Sequence, residues 1–161
     1  MAMLGATASA QEFATRQQAV DYISATLPKA TAANPEYLTK ADGTLTRWFT
    51  DDVHFETDAK GGVTVTMREH FVATKAGKNT QARHEARFAL SDVTVGLYEL
   101  AGDVTPSGQP ALGLAFTCKT PGCVAALWGE APSHADMTDV SIQDKPTRDR
   151  LMTAFRRLQT P

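Results

Sequence analysis

Several features that mark particular classes of protein are missing from this chain of 161 residues. It has no apolar run close to the ~18 residues of a membrane-spanning helix. Its 16 Lys and Arg against 18 Asp and Glu give a net charge of −2, so no basic field is available to hold a nucleic-acid backbone. Nucleophile elbows, Gly-rich phosphate loops, H-E-x-x-H helices and EF-hand loops are absent as well. These absences argue against transmembrane, nucleic-acid-binding and the common motif-bearing enzyme classes.

Cysteine is scarce, since the chain contains only Cys118 and Cys123. The dipeptide Pro121-Gly122 between them favours a turn, which could bring the two Cβ atoms within the ~4 Å that a disulfide needs. A redox pair normally has two intervening residues instead of four, and two cysteines alone do not make a structural zinc site. We therefore predict a structural disulfide, which for so short a loop contributes at the low end of ~2–4 kcal/mol.

The first ten residues are small and apolar, and Ala8-Ser9-Ala10 fits the small-x-small pattern for signal peptidase. A complete signal peptide also needs a basic start and a longer apolar run. We therefore interpret residues 1–10 as the remnant of a signal peptide that starts upstream, with cleavage before Gln11, and residues 11–161 as a single α+β domain. With the even number of cysteines, this pattern predicts a periplasmic or secreted protein.

A helix is predicted near the start of the domain, over residues 15–27. Thr15 and Gln18 form a capping-box pattern, and apolar residues follow at helical spacing. Pro28 should end this helix. The polar segment over residues 28–43, which contains two prolines, is predicted to be a loop with no more than a short turn.

A second helix is predicted at the end, over residues 145–159. Asp144 can cap it, and Pro146 lies in its first turn, where a missing N–H costs nothing. Its apolar stripe consists of Leu151, Phe155 and Leu158. A solvated face is expected to carry its arginines, which are Arg148, Arg150, Arg156 and Arg157.

Between the helices, alternating apolar and polar residues predict six to seven antiparallel strands. We place a two-residue hairpin turn at Gly77 and Lys78. Residues 102–110 and 129–133 are expected to be loops. The two strands flanking the hairpin turn have inward faces made of Val63, Val65, Met67, Glu69 and Phe71 and of Ala82, His84, Ala86, Phe88 and Leu90.

This order of elements is an α+β plan. From Val53 to Leu158, the strand order, the hairpin at Cys118 and Cys123 and the final amphipathic helix resemble a PH-like (pleckstrin-homology-like) barrel, whose terminal helix plugs one open end. The resemblance implies a curled sheet or barrel that binds ligands or proteins and is not an enzyme. The nearest match to a basic phosphoinositide loop, at residues 75–78, is poor. A lipocalin-like barrel and a cone-shaped sheet with a leading helix are the alternative folds.

Glu69 and His84 are the candidate site residues, because both lie on predicted apolar faces. The predicted turn would set Phe71 opposite His84 and place Glu69 on the diagonal, within reach of the imidazole. A buried carboxylate beside an imidazole has a perturbed pKa and can mark a site. The alternative interpretation is a buried polar pair that merely satisfies its own hydrogen bonds.

Two other groups of residues receive structural interpretations. Asp52, His54 and Glu56 share one face of a strand, which we interpret as its solvated face and not as a metal site. Trp48 and Trp128 are predicted to be core or rim aromatics, since no basic residues accompany them as in a nucleic-acid platform.

The leading hypothesis is a small exported domain of bacterial type that serves as a non-catalytic binding or envelope-associated module. Its partner would be an unidentified protein or small molecule, and no cofactor or metal is expected. This hypothesis expects the region around His84 to be packed shut. A small hydrolase or isomerase that uses His84 and Glu69 would need an open pocket there. A carrier of a small apolar ligand would need an apolar cavity of at least ~300 Å³.

Overall fold

The structure, a computed structural model, describes residues 12–161, so the predicted signal remnant and the cleavage site lie outside the described residues. Within them, neither helix combines the length and the apolar character needed to cross a membrane. The elements in chain order are α1 (Arg16–Ala32), β1 (Tyr37–Thr39), β2 (Leu45–Thr57), β3 (Val63–Lys75), β4 (Lys78–Ala89), a 3-10 turn (Leu90–Asp92), β5 (Val93–Val104), β6 (Pro110–Cys118), β7 (Val124–Trp128), β8 (Ala131–Ala135), β9 (Met137–Ser141) and α2 (Lys145–Gln159).

The strands form one curled antiparallel sheet, a half-barrel in the order β8-β7-β4-β3-β2-β1-β5-β6-β9. The α+β plan with a helix at each end is confirmed, but the described residues contain nine strands and not six to seven. The predicted loops over residues 28–43, 102–110 and 129–133 contain β1, the end of β5 and most of β8. Pro132 is tolerated in β8 because β8 is an edge strand, where a missing N–H costs no ladder bond.

The two edges of the sheet meet at a single residue, Asp136, which separates β8 from β9. The Cys118 N–H donates to the Asp136 carbonyl at 2.8 Å, and the Gly122 N–H donates to the Asp136 carboxylate at 2.7 Å. Because β8 and β9 stand at opposite ends of the strand order, this connection requires the sheet to curl. The predicted disulfide between Cys118 and Cys123 is present and ties β6 to β7, which are not neighbours in the sheet.

The first helix has the predicted capping box, since the Thr15 hydroxyl accepts from the Gln18 N–H at 3.1 Å. The predicted end at Pro28 is wrong, because the helix continues to Ala32. The proline leaves the carbonyl four residues earlier without its donor, but that residue, Ser24, is exposed to water. Tertiary contacts favour the additional turn, since the buried Thr31 hydroxyl accepts from the Thr50 N–H at 2.9 Å.

The second helix has the predicted bounds, and the Asp144 side chain accepts from the Thr147 N–H at 3.1 Å. Leu151, Phe155 and Leu158 are buried as predicted, and with α1 they close one end of the half-barrel. The apolar core fills that end. It includes Ile23, Leu27, Val53, Val65, Met67, Phe88, Leu114, Phe116, Val140 and Ile142.

The prediction that the arginines of α2 lie mostly on a solvated face is confirmed for Arg150 and Arg156, which are exposed, and wrong for Arg148. Arg148 is buried, and the Arg156 guanidinium donates to the Val95 carbonyl at 3.0 Å. Arg157 donates to the Phe13 carbonyl at 3.1 Å. A helix that plugs a barrel is surrounded on several sides, so long polar side chains reach backbone acceptors that a free helix face would lack.

The β3–β4 hairpin turns one residue earlier than predicted. Ala76 and Gly77 occupy its centre with φ of 50° and 75°, and Lys75 pairs with Lys78. Glu69 therefore lies directly opposite His84 and not on the diagonal. The error moves the partner of each residue by two positions along the opposite strand. Because side chains alternate between the two faces of a strand, a shift of two leaves each residue on its predicted face. The predicted inward faces of both strands are confirmed.

Candidate functional site

The candidate site begins with a row of four residues that crosses the concave side of the sheet. Thr50 pairs with Glu69, Glu69 with His84, and His84 with Trp128, on four neighbouring strands β2, β3, β4 and β7. The same strands carry aliphatic side chains nearer the helices. The row therefore marks the point at which the apolar core gives way to polar and aromatic groups.

A β-bulge in β2 brings Trp48 to this site. The register shifts between Thr50 and Asp52, so the inward positions change from odd numbers, such as Val53, to even numbers. Trp48 consequently lines the interior, whereas Phe49 stacks on His70 at 4.8 Å between ring centroids, outside it. No sequence signal marked this bulge, and without it Trp48 would point away from the site.

Glu69 and His84 meet as the sequence analysis expected. Nδ1 of His84 lies 3.3 Å from Oε2 of Glu69, and the two side chains are only 9% and 7% exposed. Burial raises the pKa of the Glu69 carboxyl, because the charged form loses its hydration, and the neighbouring His84 acts in the opposite direction. The contact can satisfy a buried pair or move a proton between the carboxylate and the ring.

A second carboxylate, Asp139 of β9, lies close to this pair and was missed by the sequence analysis. Burial raises its pKa, while the charge of His84 and the Tyr98 hydroxyl lower it. The negative charge of Asp139 also contributes to the raised pKa of Glu69. The available signal was an acidic residue next to Val140 in a short apolar strand, but only the topology shows that β9 faces β3 and β4.

These residues surround a cavity of about 290 Å³ in the gap between β8 and β9. Trp128, which is 44% exposed, forms its rim, and its ring lies 4.2 Å from that of His84 and 6.0 Å from that of Trp48. The lining residues are Trp48, Glu69, His84, Val124, Ala126, Trp128, Ser133, Ala135, Met137, Thr138 and Asp139.

A smaller cavity of about 190 Å³ shares three of these residues, Trp48, Glu69 and Asp139. It extends toward Tyr37, and burial raises the pKa of Tyr37 to about 12. The two carboxyl groups of the site, Glu69 and Asp139, therefore border two adjacent spaces on the concave side of the sheet. The expectation of the leading hypothesis that the region around His84 is packed shut is therefore wrong, because His84 lines a cavity. The walls of this cavity are not purely apolar.

The group of titratable residues on β2 lies outside the site. Asp52, His54 and Glu56 are exposed, which confirms the solvated-face interpretation, and Glu56 pairs with Arg87 at 2.7 Å on the outer side of the sheet. Within residues 12–161, no three His, Cys, Asp or Glu side chains are placed to hold a metal ion. The tryptophans, in contrast, are both at the site and belong to one aromatic group with Phe71.

Comparison with known proteins adds no assignment to this site. The chain matches no protein-family model, no curated protein and no solved structure. The interpretation of the site therefore rests on its geometry, and the resemblance to a PH-like barrel stays an expectation.

Proposed function

We propose that this protein is an exported, non-catalytic binding module whose ligand is a small molecule held in the cavity at the open end of the half-barrel. One observation carries the proposal. The buried pair Glu69 and His84 and both tryptophans of the chain, Trp48 and Trp128, line a single cavity. An apolar wall with a few converging polar groups is the usual composition of a ligand pocket.

The size of the cavity favours a small molecule over a segment of another protein. Its volume of about 290 Å³ lies just below the ~300–1,000 Å³ typical of ligand pockets. The polar carboxyl groups of Glu69 and Asp139 in the walls argue against the purely apolar ligand that a simple carrier would hold, because such a ligand would leave them without partners. The ligand should therefore have both a flat apolar part and a polar group.

Export is part of the proposal and is supported by the disulfide between Cys118 and Cys123. Disulfides form and persist in oxidising compartments such as the periplasm and the extracellular space. Kinship with PH-like barrels is also part of it. The curled antiparallel sheet and the closing helix α2 support that kinship, whereas the nine strands exceed the expected number.

A hydrolase or isomerase is the second candidate. It is favoured by the 3.3 Å contact between Glu69 and His84 and by the cavity at His84, which this hypothesis required. A carboxylate that orients an imidazole is a common general-base arrangement. Acyl transfer and enolisation, however, develop negative charge on oxygen, which needs hydrogen-bond donors or cations nearby. No Lys or Arg of the described residues lines the cavity, and Glu69 and Asp139 would oppose that charge whenever they are ionised, so the site fits binding better than such a reaction.

The experiment is a binding titration with N-phenylnaphthylamine, a neutral fluorescent probe, followed by energy transfer from tryptophan. Because the two tryptophans both line the cavity, a probe bound there should quench their emission strongly, and variants of the cavity assign the signal to this site. We expect saturable binding of one probe per chain. Replacing Ala126, which lines the cavity, by leucine should weaken binding about tenfold, or about 1.4 kcal/mol.

The matched control is Ala125→Leu, which makes the same change on the outer face of the same strand. Ser133→Leu is a second cavity variant at an exposed position, in case Ala126→Leu impairs folding. Absence of binding, or binding that all three variants leave unchanged, would contradict the proposal. Hydrolysis of p-nitrophenyl acetate that is lost in His84→Asn would favour the enzyme instead.

A further inference from the structure

We propose that the ligand of this cavity is a small organic cation, a protonated amine that carries a flat apolar group. The ammonium group would lie against the carboxylates of Glu69 and Asp139, and the flat group would lie against Trp48 and Trp128. This inference rests on the proposed function, because it names the chemical class of the ligand of the same cavity. Its first support is the balance of charge in the cavity, and its second is the aromatic wall.

The cavity has more negative than positive groups. Glu69 and Asp139 supply two carboxylates, and His84 is the single basic side chain among the lining residues. Even when the imidazole is protonated and paired with Glu69, one carboxylate remains without a cationic partner in the cavity. A charge that is withdrawn from water is costly unless an opposite charge compensates it. An ammonium group would supply that compensation, whereas an anionic ligand would add to the cost.

The pKa values of the two carboxyls agree with this balance. Burial raises the pKa of Glu69 and that of Asp139, so enclosure disfavours their charged forms in the free protein. A bound cation would favour the charged forms and lower both pKa values. Binding of the cation and ionisation of the carboxyls are therefore expected to reinforce each other.

The aromatic wall supplies the second part of the recognition. Trp48 and Trp128 line the cavity, and together with Phe71 they form a cluster with ring centroids 4.7–6.1 Å apart. Tryptophan faces attract cations and pack well against flat apolar groups. In the described part of the chain, arginines lie over Phe49, Phe13 and Tyr22, and none lies over these two tryptophans. Phe71 packs against Trp48 and His84 against Trp128, with ring centroids 4.7 and 4.2 Å apart, so a ligand would contact the ring surface that these neighbours leave uncovered.

The test compares three molecules of nearly equal size, which are phenethylamine, phenethyl alcohol and hydrocinnamate. Their head groups are positive, neutral and negative at neutral pH. Tryptophan emission measures each dissociation constant directly at low salt, so the result does not depend on the neutral probe. We expect phenethylamine to bind about tenfold more tightly than the alcohol and hydrocinnamate to bind most weakly.

Variants assign the preference to the carboxylates. Asp139→Asn and Glu69→Gln should each bring the amine and the alcohol to within about twofold of each other. The matched control is Glu85→Gln, which removes one carboxylate from the outer face of β4, where Glu85 pairs with Arg68 at 2.9 Å. It should leave the preference for the amine unchanged.

The outcomes separate this inference from the proposed function. If N-phenylnaphthylamine or phenethyl alcohol binds and phenethylamine binds no better, the cation preference is overturned and the binding function stands. If a preference for the amine persists in both cavity variants, the cavity is not its source and the inference is overturned. If neither the neutral probe nor any of the three molecules binds, both are overturned. Amine binding that depends on Asp139 supports both.

Discussion

The two ends of the half-barrel are built from the same three strands, and they differ in what their inward side chains do. At the end closed by the helices, Val53, Val65 and Phe88 of β2, β3 and β4 are almost completely buried in an apolar core. At the open end, the same strands present Trp48, Glu69 and His84 to a cavity. The three strands pair with one another at both ends, with a bulge in β2 between Thr50 and Asp52, so strand pairing alone does not decide where a site forms.

The position of the helices accounts for this difference between a filled interior and a cavity. Near α1 and α2, apolar side chains from the sheet and the helices fill the interior, and Phe155 of α2 contacts Phe116 of β6 with ring centroids 4.9 Å apart. Away from the helices, the curled sheet encloses space that its own side chains do not fill. The polar side chains of Glu69 and His84 are stable there because they contact each other and border the cavity.

The largest effect is expected at the closed end. Phe155→Ala removes a fully buried ring and should lower the free energy of unfolding by about 3–5 kcal/mol. Trp128→Ala at the rim of the cavity should cost clearly less, because Trp128 is 44% exposed. Urea denaturation followed by circular dichroism measures both. Equal losses at the two positions would show that the open end is packed like the closed end.

The second largest loss of stability is expected on removal of the disulfide between Cys118 and Cys123, which lies where the two edges of the sheet meet. The double variant Cys118→Ser, Cys123→Ser removes the bond between β6 and β7 and should lower the free energy of unfolding by about 2 kcal/mol, because the closed loop is short. Reduction of the unchanged protein with dithiothreitol should produce the same loss in urea denaturation. A loss under reduction that the double variant does not show would mean that the disulfide is not responsible.

The third prediction concerns pH and the open end. Because burial raises the pKa of Glu69, the folded state favours the protonated carboxyl. Its stabilising contribution is full below the ordinary value of 4.5 and is lost as the pH rises through the raised value. Glu69→Gln keeps the shape and removes the titration, so its stability relative to the unchanged protein should increase as the pH rises from about 4 to 8.

Urea denaturation at several pH values measures this difference. The variant is compared with the unchanged protein at each pH, since surface carboxyls such as Asp42 and Asp144 have lowered pKa values and act in the opposite direction in both proteins. A stability difference that stays constant or decreases with rising pH would refute the assignment of Glu69 as a carboxyl disfavoured by burial.

The smallest effect is expected when the same substitution is made on the outer face. Glu56→Gln breaks the ion pair with Arg87, but both side chains are about half exposed and water screens their charges. The free energy of unfolding should change by less than about 1 kcal/mol, with little dependence on pH between 6 and 8. If Glu56→Gln changed the free energy of unfolding more than Glu69→Gln does, the claim that charge matters more on the inner face than on the outer face would be contradicted.

The sequence predicted the closed end better than the open end, for physical reasons. The apolar stripe of α2, its cap at Asp144 and the alternation in β3 and β4 are local signals, and the structure confirms them. The pairing of Glu69 with His84 was also anticipated, since a one-residue error in the turn does not change which face a residue occupies. Each of these features depends on the spacing of apolar residues within one helix or strand, or on a single hairpin.

The missing parts of the site depend on contacts that are distant in sequence. Trp48 faces the cavity because of a bulge at residues 50–52, and Asp139 reaches it because β8 and β9 join the two sheet edges at Asp136. The additional turn of α1 beyond Pro28 likewise depends on a contact with Thr50. No local sequence pattern indicates these arrangements. The sequence therefore predicted the pair Glu69 and His84 but not the cavity that the pair lines.

The most direct test of the account is an NMR proton–nitrogen correlation spectrum recorded during a titration with N-phenylnaphthylamine. If the open end is the binding site, the two tryptophan indole signals and the amides of Glu69, His84 and Asp139 should move together and saturate, while those of Val65, Phe116 and Leu158 stay in place. Movement confined to residues at the closed end, or no movement of either indole signal at saturating probe, would contradict the assignment of this cavity as the functional site.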